Sequence, residues 1–368
     1  MTIGVVGAGQ LARMLALAGL PLGQRFVFLD PAVDACAAPL GEHLRGSYDD
    51  RELLIRLAAR ADVVTYEFEN VPEDSIEFLS KRVAVFPDAG SLATARDRLR
   101  EKILFRELGI PTPPFAAVNS LADLTRAVAQ IGLPAVLKTR TLGYDGKGQV
   151  VLRRTEDIEP AWARVGSVPL VVEGFVSFRR EVSVIGVRGR GGETAFYPLA
   201  ENVHHEGILR VSRSRPGDPC QAQAQAYVRR LLDSLDYVGV LALELFHVGD
   251  VLLANEMAPR VHNSGHWTIE GTETSQFENH LRAILGLPLG GTAAVSHAAM
   301  MNFIGELPDP TRVLAVPGAH LHLYGKVPRP GRKLGHATVR APQGDTLQTS
   351  LDQLLALDQR RDWAGATM

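Results

Sequence analysis

Two apolar runs, residues 240–246 and 251–254, flank the turn-like His247-Val248-Gly249-Asp250, and each run carries or leads into a single carboxylate, Glu244 and Glu256. The pattern predicts a β-hairpin folding near Gly249 and Asp250. That fold brings the two acids opposite each other to within about a residue of register, roughly 5 Å between β-carbons. Two acids facing each other on buried strands repel unless a cation sits between them. Oxygen-only ligands in this arrangement suit Mg²⁺, which takes one or two carboxylates and completes its shell with water and substrate phosphates. The competing reading is a pair of surface acids on an edge hairpin. The polar cluster that follows at once, Arg260, His262, Asn263, Ser264 and His266, favours a site.

Upstream, residues 3–6 read as a short strand running into Gly7-Ala8-Gly9-Gln10-Leu11-Ala12 and a helix through Ala18, and a second strand ends at Asp30. A G-x-G-x-x-A turn with an acid about twenty residues on is the sequence of a dinucleotide-binding βαβ unit. The same turn serves any phosphate site or tight strand-to-helix bend. A third strand, 61–66, ends in Glu67-Phe68-Glu69-Asn70, and a fourth spans 83–86. Residues 1–95 are therefore expected to form a small parallel α/β domain with its ligands at the carboxyl ends of the strands. Residues 92–108 read as one helix, stopped by Gly109 and by Pro111, Pro113 and Pro114, with its Arg and Lys side chains on a solvated face.

A second informative stretch begins at Lys138, which closes a strand, and continues through Gly143, Tyr144, Asp145, Gly146, Lys147, Gly148 and Gln149. Glycines so placed let the backbone approach a ligand and aim amides at it, as phosphate-cradling loops require. The spacing fits neither the P-loop nor the kinase glycine loop, and a plain glycine-rich hairpin turn is the alternative. A strand over 168–172 ends at Glu173 and another opens at Glu181; such a strand and linker can meet an adenine edge, and a carboxylate can accept from ribose hydroxyls. Near the C-terminus, Lys326, Arg329, Arg332 and Lys333 crowd a Pro/Gly-rich turn, which is either a solvated charge run or a compact phosphomonoester site.

The formal net charge of −2 over 368 residues gives no global field for nucleic acid, so cations for anionic substrates must be concentrated locally. The only two cysteines, Cys36 and Cys220, stand far apart in no metal-like pattern, which fits a reducing cytoplasm. No apolar run approaches the ~20 residues of a membrane helix, and the N-terminus enters a strand without a basic leader.

The order of these parts resembles the ATP-grasp superfamily of carboxylate–amine ligases. Within it, GAGQLARM, TYEFENVP, LKTRTLGYDGKGQ, FYPLAENVHHEGILR, NEMAPRVHNSGHW and RPGRKLGH are similar to the family of 5-(carboxyamino)imidazole ribonucleotide synthases of purine biosynthesis. The match runs from residue 3 to about 340, with Ala12 where the family often has Gly and Lys147 where it often has Arg. The resemblance implies an α/β and α+β chain: a Rossmann-like pre-ATP-grasp domain (1–95), an ATP-grasp domain (96–297, its lid about 112–178) and a small β-rich C-terminal domain (298–368).

It further implies ATP-dependent carboxylation of 5-aminoimidazole ribonucleotide by bicarbonate through carboxyphosphate, in a cytoplasmic homodimer. Arg98 and Lys138 would contact ATP phosphates, and Gly143, Tyr144, Asp145, Gly146, Lys147, Gly148 and Gln149 would close over them. Glu173, Gly174, Phe175 and Val176 would hold adenine, Glu181 the ribose and His204 the nucleotide. Glu244 and Glu256, with Asn255 alongside, would carry Mg²⁺. Arg260 and His262 would hold bicarbonate, with Asn263 beside them as a further catalytic residue, while Tyr144, Lys326, Arg332 and Lys333 would bind the ribonucleotide. The alternatives are a formate-activating sibling acting on glycinamide ribonucleotide, an NAD-dependent oxidoreductase resting on Gly7, Gly9 and Asp30, and a nucleotide-sensing module without turnover.

Overall fold

The computed structural model describes residues 1–143 and 148–358. A five-stranded parallel sheet comes first, in the order Glu42–Arg45, Arg25–Asp30, Thr2–Val6, Val63–Tyr66, Ala84–Val85. Its central strands are Val/Ile-rich and covered on both faces, as a parallel sheet requires. Thr2–Val6 and Val63–Tyr66 are neighbours, so the glycine turn and the segment Glu67–Asn70 leave the sheet side by side.

A four-stranded antiparallel sheet follows, ordered Phe115–Val118, Leu170–Gly174, Ala135–Thr139, Gln149–Leu152. The helices Leu121–Ile131 and Ile158–Val165 pack on it through Leu124, Val128, Ile158 and Ala161. The third sheet has nine strands. Its path is Val251–Ala258, Gly239–Val248, Arg180–Arg188, Leu199–His205, Ile208–Arg215, His297–Ile304, Lys333–Ala341, Ala319–Leu323, with Thr194–Phe196 paired to Arg180–Arg188. The C-terminal strands thus extend this sheet through the pairing of Ile208–Arg215 with His297–Ile304.

The helix expected over 92–108 is two helices, Ala89–Arg96 and Arg98–Glu107. Asp97 leaves the helical region (φ −108°, ψ 107°), and its carboxylate accepts from the amides of Leu99 and Arg100 and from the Arg140 guanidinium. Aspartate competes with helical hydrogen bonding and is favoured as an N-cap, so it restarts the helix here. The restart turns Arg98, Glu101, Lys102 and Phe105, spaced as one helical face, toward the interior. Lys102 is fully buried, which corrects the expected solvated face.

Candidate active site

The three sheets enclose a cleft of about 740 Å³. On its wall, Gly239–Val248 and Val251–Ala258 form the expected hairpin, and Glu244 pairs directly with Glu256. The register from Val248↔Val251 to Leu245↔Ala254 slips by one residue beside Glu244, leaving Asn255 as the extra residue. Without that bulge Glu244 would face Asn255, and Glu256 would fall on the other side of the sheet. The bulge therefore puts both carboxylates on one face. Lys102 Nζ donates to the carbonyl of Asn255 at 3.1 Å, tying the bulge to the restarted helix.

Both acids are held ionised. Burial would push Glu256 up, but the Arg98 guanidinium, 2.6 Å away, holds it down at about 2. Burial likewise opposes ionisation of Glu244, and His262 outweighs it, its Nε2 lying 3.1 Å from the carboxylate. The tautomer follows from the neighbours. His262 Nδ1 lies 2.8 Å from the Ser264 hydroxyl and accepts from the Ser264 amide, so Nε2 carries the proton toward Glu244.

At the nucleotide end, Glu173 is buried between Lys102 (3.1 Å) and Lys138 (3.2 Å), and these ammoniums hold its carboxyl low against the effect of burial. Its Oε1 finds no partner among the described residues. Phe175 commits its N–H to the carbonyl of Pro134. Glu181 hydrogen-bonds His204; burial disfavours the imidazolium, and the carboxylate more than compensates, raising the pKa above the ordinary histidine value. Gly174, Val176, Gly143 and Gln149 also line the cleft, and Arg98 Nη2 reaches the Gly143 carbonyl at 3.4 Å. Tyr144, Asp145, Gly146 and Lys147 lie outside the described residues, and Gly148 sits at the far end of that gap.

At the opposite end, Arg260 forms a bidentate pair with Glu69 at 2.6 and 3.0 Å. Asn263 lines the cleft beside His262, and so does Lys333. Lys326 donates to Gln10, itself a lining residue, and burial lowers its pKa. Arg332 stands outside the lining, on an exposed turn, donating to the Val327 carbonyl.

The sequence reading missed Glu67, Glu69 and Lys102 as site-forming groups. For the two glutamates the signal was their place just after a parallel strand; for Lys102 it was the i, i+4 spacing from Arg98. Glu67 also settles the glycine turn. Its carboxylate accepts from the amides of Gly9 and Ala12, while Asp30 accepts from Ala8 and the Tyr48 hydroxyl. A β-carbon on Gly7 (φ +108°) would meet Glu67 Cγ at 2.5 Å. The turn is built around the protein's own acids, which removes the basis for a dinucleotide there.

A cleft between an antiparallel lid-type sheet and a larger sheet, with lysines at one end and paired glutamates on the wall, defines an ATP-grasp ligase. The model of the ATP-grasp domain matches residues 103–277, that of the ribonucleotide synthetase preATP-grasp domain residues 1–96, and that of the phosphoribosylaminoimidazole carboxylase C-terminal domain residues 298–350. The N5-carboxyaminoimidazole ribonucleotide synthase of Pseudomonas aeruginosa is 61% identical over 357 residues, 97% of this chain and 99% of that one. The N5-carboxyaminoimidazole ribonucleotide synthetase from Thermus thermophilus superposes with a TM-score of 0.94 at 54% identity, over 98% of this chain and 99% of that one. The Aspergillus clavatus synthase, solved with ADP and 5-aminoimidazole ribonucleotide, gives 0.90 at 33% identity over 97% and 98%. The chain belongs to the N5-carboxyaminoimidazole ribonucleotide synthase family.

Proposed function

We propose that this enzyme couples ATP cleavage to the carboxylation of 5-aminoimidazole ribonucleotide by bicarbonate, giving 5-(carboxyamino)imidazole ribonucleotide, ADP and phosphate in purine biosynthesis. The observation that carries the reading is the bulge that sets Glu244 and Glu256 on one face of a cleft also lined by Arg98, which pairs with Glu256, and by Lys138. The names of the relatives and the ligands of the Aspergillus clavatus structure agree with it.

ATP enters with adenine against Glu173–Val176. The orphaned Glu173 Oε1 is an acceptor for the exocyclic amine, and the donor role falls to the Val176 amide because that of Phe175 is used. Glu181 accepts from ribose hydroxyls with His204 beside it. Arg98, Lys138 and the glycine loop take the phosphates. The donor set on the wall is two ionised carboxylates and no soft ligand, which fits a hard cation, so Glu244 and Glu256 would hold Mg²⁺. When bound there it supplies positive charge to the β- and γ-phosphates.

Bicarbonate is a poor electrophile. An oxygen of bicarbonate attacks the γ-phosphorus and ADP leaves, giving carboxyphosphate; the amine then attacks the carboxyl carbon and phosphate departs with the transferred oxygen. Arg260, locked by Glu69, and His262, locked by Ser264, hold the one-carbon acid in line, so the chain contributes mainly positioning and charge neutralisation. Lys326, Lys333 and Arg332, with Tyr144, anchor the ribonucleotide phosphate. The working form is a cytoplasmic homodimer, which sedimentation of the purified protein tests. Among the described residues no helix is long and apolar enough to cross a membrane.

A coupled ADP-release assay tests the reaction. Turnover should require both aminoimidazole ribonucleotide and bicarbonate. Turnover that instead follows formate and glycinamide ribonucleotide would transfer the enzyme to the sibling activity.

A further inference from the structure

The polar cluster after the hairpin is braced from an unexpected side. Asn302, His336 and His322 stand in one row across three C-terminal strands, Asn302 paired with His336 and His336 with His322. Opposite them, Asn263, His266 and Glu270 are spaced three and four residues apart, one face of a helical turn. The two rows meet residue by residue. The amides of Asn263 and Asn302 exchange hydrogen bonds at 3.1 and 2.7 Å. The rings of His266 and His336 lie 4.8 Å apart, and His322 Nε2 is 2.6 Å from Glu270.

The direction of the asparagine pair is fixed by a third group. Asn302, 1% exposed, donates from Nδ2 to the carbonyl of Leu209 at 2.9 Å. A backbone carbonyl only accepts, so the nitrogen of Asn302 must face it. The second N–H of that nitrogen then goes to Asn263 Oδ1, and Asn302 Oδ1 accepts from Asn263 Nδ2. An amide nitrogen has two protons and the pair uses one, which leaves Asn263 a second N–H. Asn263 lines the cleft beside His262 and Glu244.

We propose that Asn302 is a positioning residue for the one-carbon acid: by reading the Leu209 carbonyl it sets the Asn263 amide so that an N–H, and not a carbonyl oxygen, is offered to the carboxylate oxygens of bicarbonate. The inference rests on the proposed placing of bicarbonate at Arg260 and His262, beside Asn263 in the cleft lining. A reversed Asn263 amide would set an acceptor against an anion, a repulsive contact in place of an attractive one.

Asn302→Asp keeps the shape but, when ionised, sets an oxygen against both the Leu209 carbonyl and Asn263 Oδ1, so the donor that fixed the direction of the Asn263 amide is lost and its carbonyl oxygen is free to face the anion. The KM for bicarbonate should rise at least tenfold while the KM for ATP stays within twofold. Asn302→Ser, which loses the amide at little risk to packing, should raise the bicarbonate KM by less, and it carries the test if the aspartate variant does not fold. A bicarbonate KM within twofold of wild type in the folded variants overturns the inference, as does an equal rise in both KM values, the mark of a merely structural role. Wild-type turnover independent of bicarbonate overturns the functional reading itself, and this inference with it.

Discussion

Replacing Glu256 by Gln separates what the carboxylate does for the fold from what it does for the reaction. Its partner Arg98 lies 2.6 Å away, but the Glu256 side chain is 38% exposed to the cleft. A pair so open to solvent contributes on the order of 1 kcal/mol or less. Glutamine keeps the shape and a hydrogen bond to Arg98, so unfolding should shift little. The functional loss is larger. A unit charge about 4 Å from a cation is worth about 4 kcal/mol at an effective dielectric near 20, and glutamine deletes that charge where, on the proposed reading, the metal and the γ-phosphoryl group would meet. At ~1.4 kcal/mol per tenfold, turnover should fall between about a hundredfold and a thousandfold. Steady-state ADP release at saturating Mg²⁺, beside a denaturant titration, reads both effects. A variant that keeps more than about a tenth of the wild-type rate would refute the reasoning, because the charge would then not be acting on the reaction.

Lys102→Met should be chiefly a stability variant: it strips a buried carboxylate of one of two ammoniums and orphans the Asn255 carbonyl, costing roughly 3–5 kcal/mol, and an unfolding free energy within about 1 kcal/mol of wild type would contradict the buried pairing. Glu101, pushed up to about 8 by burial, accepts from the Met257 amide. Its folded pKa lies above the unfolded value near 4.5, so the stability it confers is full below about pH 4.5 and is lost as pH rises through about 8. Glu101→Gln should therefore flatten the fall in stability over that window, and parallel pH profiles for the two proteins would refute the assignment. Arg332→Ala should raise the KM for the ribonucleotide while leaving that for ATP unchanged; movement of the ATP value instead would relocate the phosphate site.

The hairpin was legible in the sequence because apolar runs, a Gly-Asp turn and one acid per run leave few other folds. Its register was not, since the bulge depends on Asn255 leaving the ladder while Lys102, more than 150 positions away, captures its carbonyl. Lys102 itself looked solvated, because a charged residue is buried only when partners from other elements are present, and a helix read alone does not show them. Asn302 was hidden for the opposite reason, as a polar residue within the apolar run of a strand, whose meaning comes from Asn263 and Leu209. Asp30 shows the reverse error: the spacing of a dinucleotide motif is present, yet its oxygens serve Ala8, Ala32 and Tyr48. Motif spacing reports the turn, not its occupant.

The most direct test follows one oxygen atom. With ¹⁸O-labelled bicarbonate, ATP and aminoimidazole ribonucleotide, the phosphate released should carry one labelled oxygen per turnover, because the bond broken in the second step leaves the bicarbonate oxygen on phosphorus. Phosphate free of label would mean that the γ-phosphoryl group never passes to bicarbonate, and the glutamate pair would need a different role.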